Sequence, residues 1–419
     1  MAESMDPNGP LRVDGDRLWA SLMEMARIGA TKRGGVSRLA LTDLDRQSRE
    51  LFIQWCEQAG CQVTVDRIGN LFARREGRDP TRPPIVIGSH LDSQPTGGKF
   101  DGVYGVLAGL EVIRSLNDRE IVTEAPVEVA VWTNEEGARF DPAMLGSGVF
   151  AGVFTTDSAL ETKDVDGISI GDALQEIGFA GPLDVGGREF GAHFEAHIEQ
   201  GPILEREDLT IGVVTGVQGI RWFDLIVEGN ETHAGPTPME LRQDPVPVAT
   251  RTIDAVFEIA QQHAPDSRAT VGVLASEPSS RNTVPSCVRA SVDLRHPDAK
   301  TLDEMTTQLR ALAQQQESEG VSIQIKDIWE SPPVVFDSSC VEAVRHAAGK
   351  LGLSHRDIVS GAGHDSVYIA RVAPTAMIFV PCKNGVSHNE EESATPQDLA
   401  AGASVLLEVV ADFSNRSRD

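Results

Sequence analysis

The stretch Ile85 to Gly105, IVIGSHLDSQPTGGKFDGVYG, constrains this chain more than any other. The apolar run Ile85-Val86-Ile87 reads as a buried strand. It delivers His90 and Asp92 together at its end, because strand side chains repeat every two residues. Asp101-Gly102 follow a Gly97-Gly98 turn and open a segment (Val103, Val106, Leu107, Leu110, Val112, Ile113) whose spacing predicts a helix. A strand end and a helix start then converge on one point, which is where open α/β sheets place their ligands. Imidazole plus carboxylate suits a borderline divalent metal such as zinc, and a second carboxylate close by can bridge to another metal or orient the ring. The same residues also read as a buried histidine bonded to Asp92 beside an ordinary helix-start carboxylate. His-x-Asp alone leaves both readings open.

At 419 residues the chain exceeds the length at which single cores stop growing, so two domains are expected. Helical spacing runs over Asp16 to Ile28. A second helix starts at Thr42, an N-cap with Asp45 three residues on, and ends at Gly60. Short β patterns follow at Gln62–Asp66 and Leu71–Arg74. The alternating run Val127 to Trp132 then completes a strand–helix–strand crossover, hence a mostly parallel sheet. That run ends in Glu135-Glu136-Gly137, again at a strand's end. Adjacent residues of an extended chain point apart, so both glutamates can serve one site only if the chain turns, and Gly137 lets it. A metal site that activates water needs one carboxylate as ligand and another, uncoordinated, to take the proton. A solvated strand end is the competing reading. Further on, His193, Glu195 and His197 share one face of a strand, and one of these imidazoles is a candidate ligand.

From about Gly212 the pattern becomes strand, strand, helix (Val246–His263), strands near Ala269–Leu274 and Cys287–Leu294, helix (Leu302–Gln316), strand (Val321–Ile328). This predicts a compact α+β insertion over residues 212–331, which Pro332-Pro333 closes. Residues 332–419 rejoin the first sheet. The expected fold is therefore α/β: a mixed, mostly parallel sheet flanked by helices in a first domain (1–211 plus 332–419) that carries the candidate metal ligands, with a smaller inserted domain. The closing segment brings Gly361-Ala362-Gly363-His364-Asp365-Ser366 and Val386-Ser387-His388-Asn389-Glu390-Glu391 to the edge of a strand at Thr375–Val380.

Sixty-three acidic against 37 basic residues give a formal charge of −26, which argues against nucleic acid or an anionic membrane as partner. Five cysteines without C-x-x-C spacing suit free thiols in a reducing cytoplasm. The N-terminal residues have no basic or apolar signal pattern, and no run of 18 apolar residues occurs.

Taken together, GSHLDSQPTGGKFDG, NEEGARF, HIEQGPILE, THAGPTPM, SRNTVP with DLRHP, SGAGHDS and VSHNEEE resemble the hydantoinase/carbamoylase group of dinuclear zinc amidohydrolases. The group includes N-carbamoyl-L-amino acid hydrolases, allantoate amidohydrolases and the yeast-type β-ureidopropionase. The resemblance runs from about residue 15 to 412, and its strength lies in seven motifs in consistent order. It implies that His90, Asp101 and His197 hold one divalent ion and Asp101, Glu136 and His388 another, with Asp101 bridging. The ions are zinc in the first place, with manganese, nickel and cobalt as alternatives. Asp92 orients His90, and Glu135 is the general base. Gln200, His233, Asn282 and Arg295 match substrate-contact positions, with His233 facing the oxyanion and Arg295 gripping a carboxylate. The implied substrate is an N-carbamoyl-L-α-amino acid or N-carbamoyl-β-alanine, with allantoate as the alternative. An N-acyl amino acid hydrolase is the lesser reading, because His197 stands where those relatives usually carry an acid. A non-catalytic scaffold is the other. A homodimer formed through the inserted domain, which can close as a lid, is also implied.

Overall fold

The computed structural model describes residues 9–316 and 320–416. The chain divides into two units: one runs up to Thr215 and resumes at Phe336, and the other spans Gly216–Val335.

The first unit is built on strands β1 (Gln62–Val65), β2 (Leu71–Arg75), β3 (Ile85–His90), β4 (Val127–Trp132), β5 (Ala192–Ile198) and β6 (Ile211–Val217). Their order in the sheet is β1-β2-β4-β3-β5, then the strand Thr375–Val380, then β6, which also pairs with His355–Ser360. The centre is parallel, with β3 against β4 and β5, and β5 against Thr375–Val380. Both flanks are antiparallel. Buried on both faces, β3, β4, β5 and Thr375–Val380 have no exposed position. β3 and Thr375–Val380 accordingly read as apolar runs, whereas β4 and β5 alternate in residue type yet bury both faces. Among the helices beside these strands are α1 (Gly15–Met25), α2 (Asp43–Gln58) and α3 (Val103–Asp118). Thr42 caps α2 by accepting from the N–H of Asp45. Packed on β3, β4 and β5 on one side and on α1 and the closing helix Pro396–Asn415 on the other, α3 buries residues all round its axis. The parallel pairing sets the ends of β3, β4, β5 and Thr375–Val380 along one edge of the sheet, and the chemically interesting residues leave from there.

The second unit is a five-stranded antiparallel sheet: Leu274–Glu277, Cys287–His296, Gly219–Glu228, Ser322–Ser331, with Arg268–Thr270 also on Cys287–His296. Helices Pro245–Gln262 and Ala299–Gln316 cover one face. Val288, Ala290, Val292 and Leu294 point into that core with Phe223, Leu225, Val248 and Leu309, while Arg289, Ser291, Asp293 and Arg295 face the other way. The strand expected over 269–274 is two short ones. The Ser291 hydroxyl takes the N–H of Val273 at 2.9 Å, so the ladder is interrupted there.

One buried network ties the first unit's outer layer to its sheet. Arg49 donates to Asp45 (2.9 Å), to the Gly69 carbonyl (2.7 Å) and to the Thr133 hydroxyl (3.4 Å). Asn70 accepts the N–H of Thr133 at 3.0 Å and donates to Asp66 at 2.9 Å. The Asp45–Arg49 pair has essentially no exposed side-chain surface. Asp45→Ala strands the Arg49 charge and is expected to cost about 3–5 kcal/mol of stability. Replacing both partners (Asp45→Leu with Arg49→Met) should cost clearly less, and denaturant unfolding of the two variants measures the difference.

Candidate metal centre

Five chain segments meet at the sheet's C-terminal edge. Strand β3 ends in His90, β5 carries His197, and the loop after Thr375–Val380 carries His388. The start of α3 adds Asp101, and the turn after β4 adds Glu135 and Glu136. Asp101 divides its two carboxylate oxygens between two groups. Its Oδ1 lies 3.2 Å from His197 Nε2 and 3.6 Å from His90 Nε2, while Oδ2 lies 3.5 Å from His388 Nε2. Glu136 Oε2 is 3.2 Å from the same His388 nitrogen. His90, Asp101 and His197 thus form one set of donor atoms all within 4.8 Å of one another, and Asp101, Glu136 and His388 form another.

The tautomers suit ligation. His90 directs Nδ1 to the Asp92 carbonyl at 2.9 Å and His197 directs Nδ1 to the Ile198 carbonyl at 2.9 Å. A carbonyl can only accept, so each Nδ1 carries a proton, and Nε2 is the nitrogen that faces Asp101 and would take a metal. The Gly102 N–H donating to His197 Nε2 at 3.2 Å agrees. Gly102 has φ +67, and a β-carbon there would sit 2.3 Å from the His90 ring, so α3 can start beside the imidazole only from glycine.

Asp92 holds His90 by its main-chain carbonyl and not by the expected side-chain contact, for its carboxylate is 3.8 Å away. That carboxylate instead accepts the N–H groups of Glu135 (3.3 Å) and Glu136 (3.2 Å), so Asp92 folds the double-glutamate turn. The turn is tight: Asn134 has φ 56 and Gly137 φ 65. Its two carboxylates do point to one site, Glu135 reaching within 3.4 Å of His90 and Glu136 reaching His388.

Four carboxylates (Asp92, Asp101, Glu135, Glu136) and two imidazoles are buried here, while the His388 side chain is 51% exposed. Burial raises the carboxyl pKa of Glu135, with His90 opposing and Asp365, Glu136 and Asp92 adding to the rise. Glu136 is pushed up to about 8, by burial first and then by Asp101. Burial disfavours charge on His90 as well, yet Glu135, Asp101 and Asp92 outweigh it and raise its pKa. Asp101 moves the opposite way: against its burial, hydrogen bonds to His197 and His90 hold it well below the carboxylate range. The protein thus gathers more buried negative charge than its imidazoles can balance, and a hard or borderline cation with carboxylate and imidazole ligands fits that deficit.

Gln200, at φ 56, donates to Asp101 Oδ2 at 2.7 Å, and its own Oε1 is buried without a partner. His193, on the same strand face as His197, is fully buried with neither ring nitrogen bonded, and burial lowers its pKa to about 3. It is a neutral core residue. His233, Asn282 and Arg295 belong to the second unit. The structure brings His233 and Asn282 together, since Thr232–His233 pairs with Thr283–Val284 and the Asn282 carbonyl accepts from Ala234 at 2.9 Å. It holds Arg295 on another strand, with Nε 3.0 Å and Nη2 2.8 Å from the Asp293 carboxylate. Sequence reading missed two groups. Glu195, whose carboxylate takes the hydroxyls of Ser89 (2.9 Å) and Ser366 (2.6 Å), lies with His364 within 4.8 Å of His197. Ser387 and Glu392 support Asp101. Alternation does flag Glu195, whereas Glu392, the last of three glutamates in a row, reads as a solvated charge.

Residues 86–412 match the family described as Peptidase family M20/M25/M40. The chain is 50% identical over 405 residues to the N-carbamoyl-L-amino-acid amidohydrolase of Rhizobium meliloti, spanning 96% of this chain and 97% of that protein. It is 38% identical over 403 residues to the N-carbamoyl-L-amino acid amidohydrolase of Geobacillus stearothermophilus, spanning 95% and 98%. Among solved structures, an amidase of the hydantoinase/carbamoylase family from Burkholderia multivorans is similar with a TM-score of 0.95 at 56% identity, covering 97% of this chain and 99% of that one.

Because one carboxylate serves both donor sets, Asp101→Ala is expected to lose both ions together. Elemental analysis after dialysis against metal-free buffer checks this, and two ions retained per chain would put the shared ligand elsewhere.

Proposed function

Because the chain belongs to peptidase family M20/M25/M40 and, within it, to the hydantoinase/carbamoylase amidases, we propose that it is a metal-dependent amidohydrolase of N-carbamoyl amino acids. It cleaves a linear ureido C–N bond and yields the amino acid, carbon dioxide and ammonia. The observation that carries this reading is the division of Asp101 between two donor sets with Glu135 uncommitted beside them. An N-carbamoyl-L-α-amino acid is the favoured substrate, in keeping with the names of the two relatives; N-carbamoyl-β-alanine and allantoate are the ones to compare with it.

Two divalent ions, zinc first, when bound supply acidity to water and polarise the ureido carbonyl. His90, His197, Glu136 and His388, with Asp101 shared, would hold them. Glu135 takes a proton from water as the oxygen attacks the carbamoyl carbon, and it returns the proton to the leaving amino-acid nitrogen as the C–N bond breaks. The carbamic acid so formed decomposes to carbon dioxide and ammonia. Burial suits Glu135 to this, because a carboxyl raised toward neutrality both accepts and gives back a proton. His233 donates to the developing oxyanion, Asn282 and Gln200 orient the ureido group, and Arg295 reads the substrate carboxylate.

The second unit is proposed to pair two copies of the chain and to act as a lid. Its exposed apolar side chains, Val273, Leu274, Ile328 and Trp329 among them, support an association surface. The five cysteines are free and buried, in keeping with a reducing cytoplasm. Among the described residues no helix is long and apolar enough to cross a membrane.

Glu135→Gln should keep both ions and the fold but lower kcat by about 10²–10⁴-fold, since only the proton carrier is removed. Turnover within tenfold of wild type defeats the assignment. Release of amine from N-carbamoyl-L-α-amino acids, N-carbamoyl-β-alanine, allantoate and N-acetyl amino acids sorts the substrate class; preference for the N-acetyl series would overturn the ureido reading. Arg295→Ala should lose about 2 to 4 kcal/mol in kcat/KM on a carboxylate substrate and little on its carboxamide analogue. An unchanged acid-to-amide ratio would remove Arg295 from substrate reading.

A further inference from the structure

Beside His388, the loop after Thr375–Val380 carries a buried carboxylate, Glu392, that neither the donor sets nor the proposed reaction employs. Glu392 is 5% exposed. Its Oε1 accepts the main-chain N–H of Phe100 at 2.8 Å and of Asp101 at 3.2 Å. Its Oε2 lies 3.0 Å from the Ser387 hydroxyl, and that same hydroxyl lies 2.7 Å from Asp101 Oδ2. Glu392 therefore holds Asp101 directly at its main chain and shares with it the Ser387 hydroxyl, whose one proton serves one carboxylate oxygen at a time; Gln200 Nε2 reaches the same Asp101 Oδ2 at 2.7 Å and the Ser387 oxygen at 3.3 Å. Space for this is reserved at Gly98, where a β-carbon would fall 2.0 Å from the Glu392 carboxyl.

A solvated end of an acidic run would need none of this. Of the two preceding glutamates, Glu391 is exposed and Glu390 largely covered, and both are met by the exposed Arg33. Among the described residues Glu392 has no such cation, and a buried carboxyl kept without one needs its hydrogen bonds. Those bonds join two loops that the sequence keeps far apart, Ser387 and Asp101 being separated by 286 positions. One loop delivers Asp101 and the other His388.

We propose that Glu392, acting through Ser387, is a positioning residue of the metal centre, setting the direction of Asp101 Oδ2 and its spacing from His388. This rests on the reading of Asp101 as the shared ligand. The consequence is asymmetric. Oδ1, facing His90 and His197, is not touched by Ser387, so the Asp101–Glu136–His388 set depends on the Glu392 bridge and the other set does not. The bridge works by hydrogen-bond geometry and not by charge. A glutamine at 392 can still accept both N–H groups through Oε1, and its amide can donate to the Ser387 oxygen, leaving that hydroxyl's single proton for Asp101.

The test compares wild type with Ser387→Ala, Glu392→Leu and Glu392→Gln. Each is loaded with zinc, dialysed against graded chelator and assayed for ions per chain, with circular dichroism and thermal unfolding to check the fold. Ser387→Ala, which cuts only the bridge and spares the main-chain bonds, should keep one ion at wild-type strength and hold the second about 10–100-fold more weakly. Glu392→Leu should do the same, and Glu392→Gln should track wild type in zinc retention and in kcat. The proposal is overturned if folded Ser387→Ala keeps both ions at wild-type chelator levels, or if Glu392→Gln loses the second ion as readily as Glu392→Leu. A wild-type chain that holds fewer than two ions overturns the shared-ligand reading instead, and the proposal with it.

Discussion

Negative charge gathered out of water without enough positive charge to meet it is the constraint on which this structure turns. Asp92, Asp101, Glu135 and Glu136 are buried together, and the histidines facing them are His90, His197 and a half-exposed His388. Carrying one ionised carboxylate into a protein interior costs several kcal/mol, and four at one point stay ionised together only with cations between them. The surrounding fold is arranged to keep the deficit and not to relieve it locally. Arg38, a guanidinium buried behind the site, spends its hydrogen bonds on carbonyls, those of Leu91 (2.7 Å) and Ile28 (2.8 Å) among them, and among the described residues it bonds to no carboxylate. It steadies the segment that follows His90 while leaving the site's carboxylates for something else.

The geometry follows from sheet topology. Parallel pairing aligns the ends of β3, β4, β5 and Thr375–Val380, so side chains from residues 90, 135, 197 and 388 can converge although the chain scatters them. Alignment alone would leave Glu135 and Glu136 on opposite faces. The left-handed Asn134 and the paired N–H groups on Asp92 convert the strand end into a turn that points both inward. Behind that turn, Arg49 and Asn70 fasten Thr133, so a misfit of the outer helix α2 is felt two residues from the proposed base.

Much of this was legible in the sequence because it depends on periodicity. His90 and Asp92 at a strand end, a helix opening after Asp101, and His193, Glu195 and His197 on one face of β5 all follow from a repeat of two or of 3.6. The helices from Val246 and Leu302 fall on Pro245–Gln262 and Ala299–Gln316, because their apolar stripes face a sheet that is covered on one side only. What periodicity cannot carry is which atom of a residue acts. Asp92 was expected to reach His90 with its carboxylate, yet its carbonyl does so, and no pattern of residue types separates a side-chain oxygen from a main-chain one. Glu392 was hidden for a related reason. Its burial is decided by a glycine nearly three hundred residues away, and in one dimension it is the last of three acids. The split strand at 268–277 escaped because a single serine hydroxyl, Ser291, competes with the ladder.

Arg295 shows how the bland and the functional readings of one residue need not compete. Read from sequence alone, it is either a surface ion pair or a carboxylate fork, and the structure does supply the ion pair, with Asp293 on the Nε side of the guanidinium. A guanidinium has two usable edges, and a carboxylate partner on one of them fixes the plane in which the other must lie. Asp293 is fixed in turn by the indole N–H of Trp222 at 2.9 Å. An arginine so held has restricted rotamers, and it would surrender less side-chain entropy on meeting an anion than an unrestrained one. The Asp293 pair is therefore compatible with the carboxylate-reading role proposed for Arg295. Lysine in the same place would keep the charge and lose that plane.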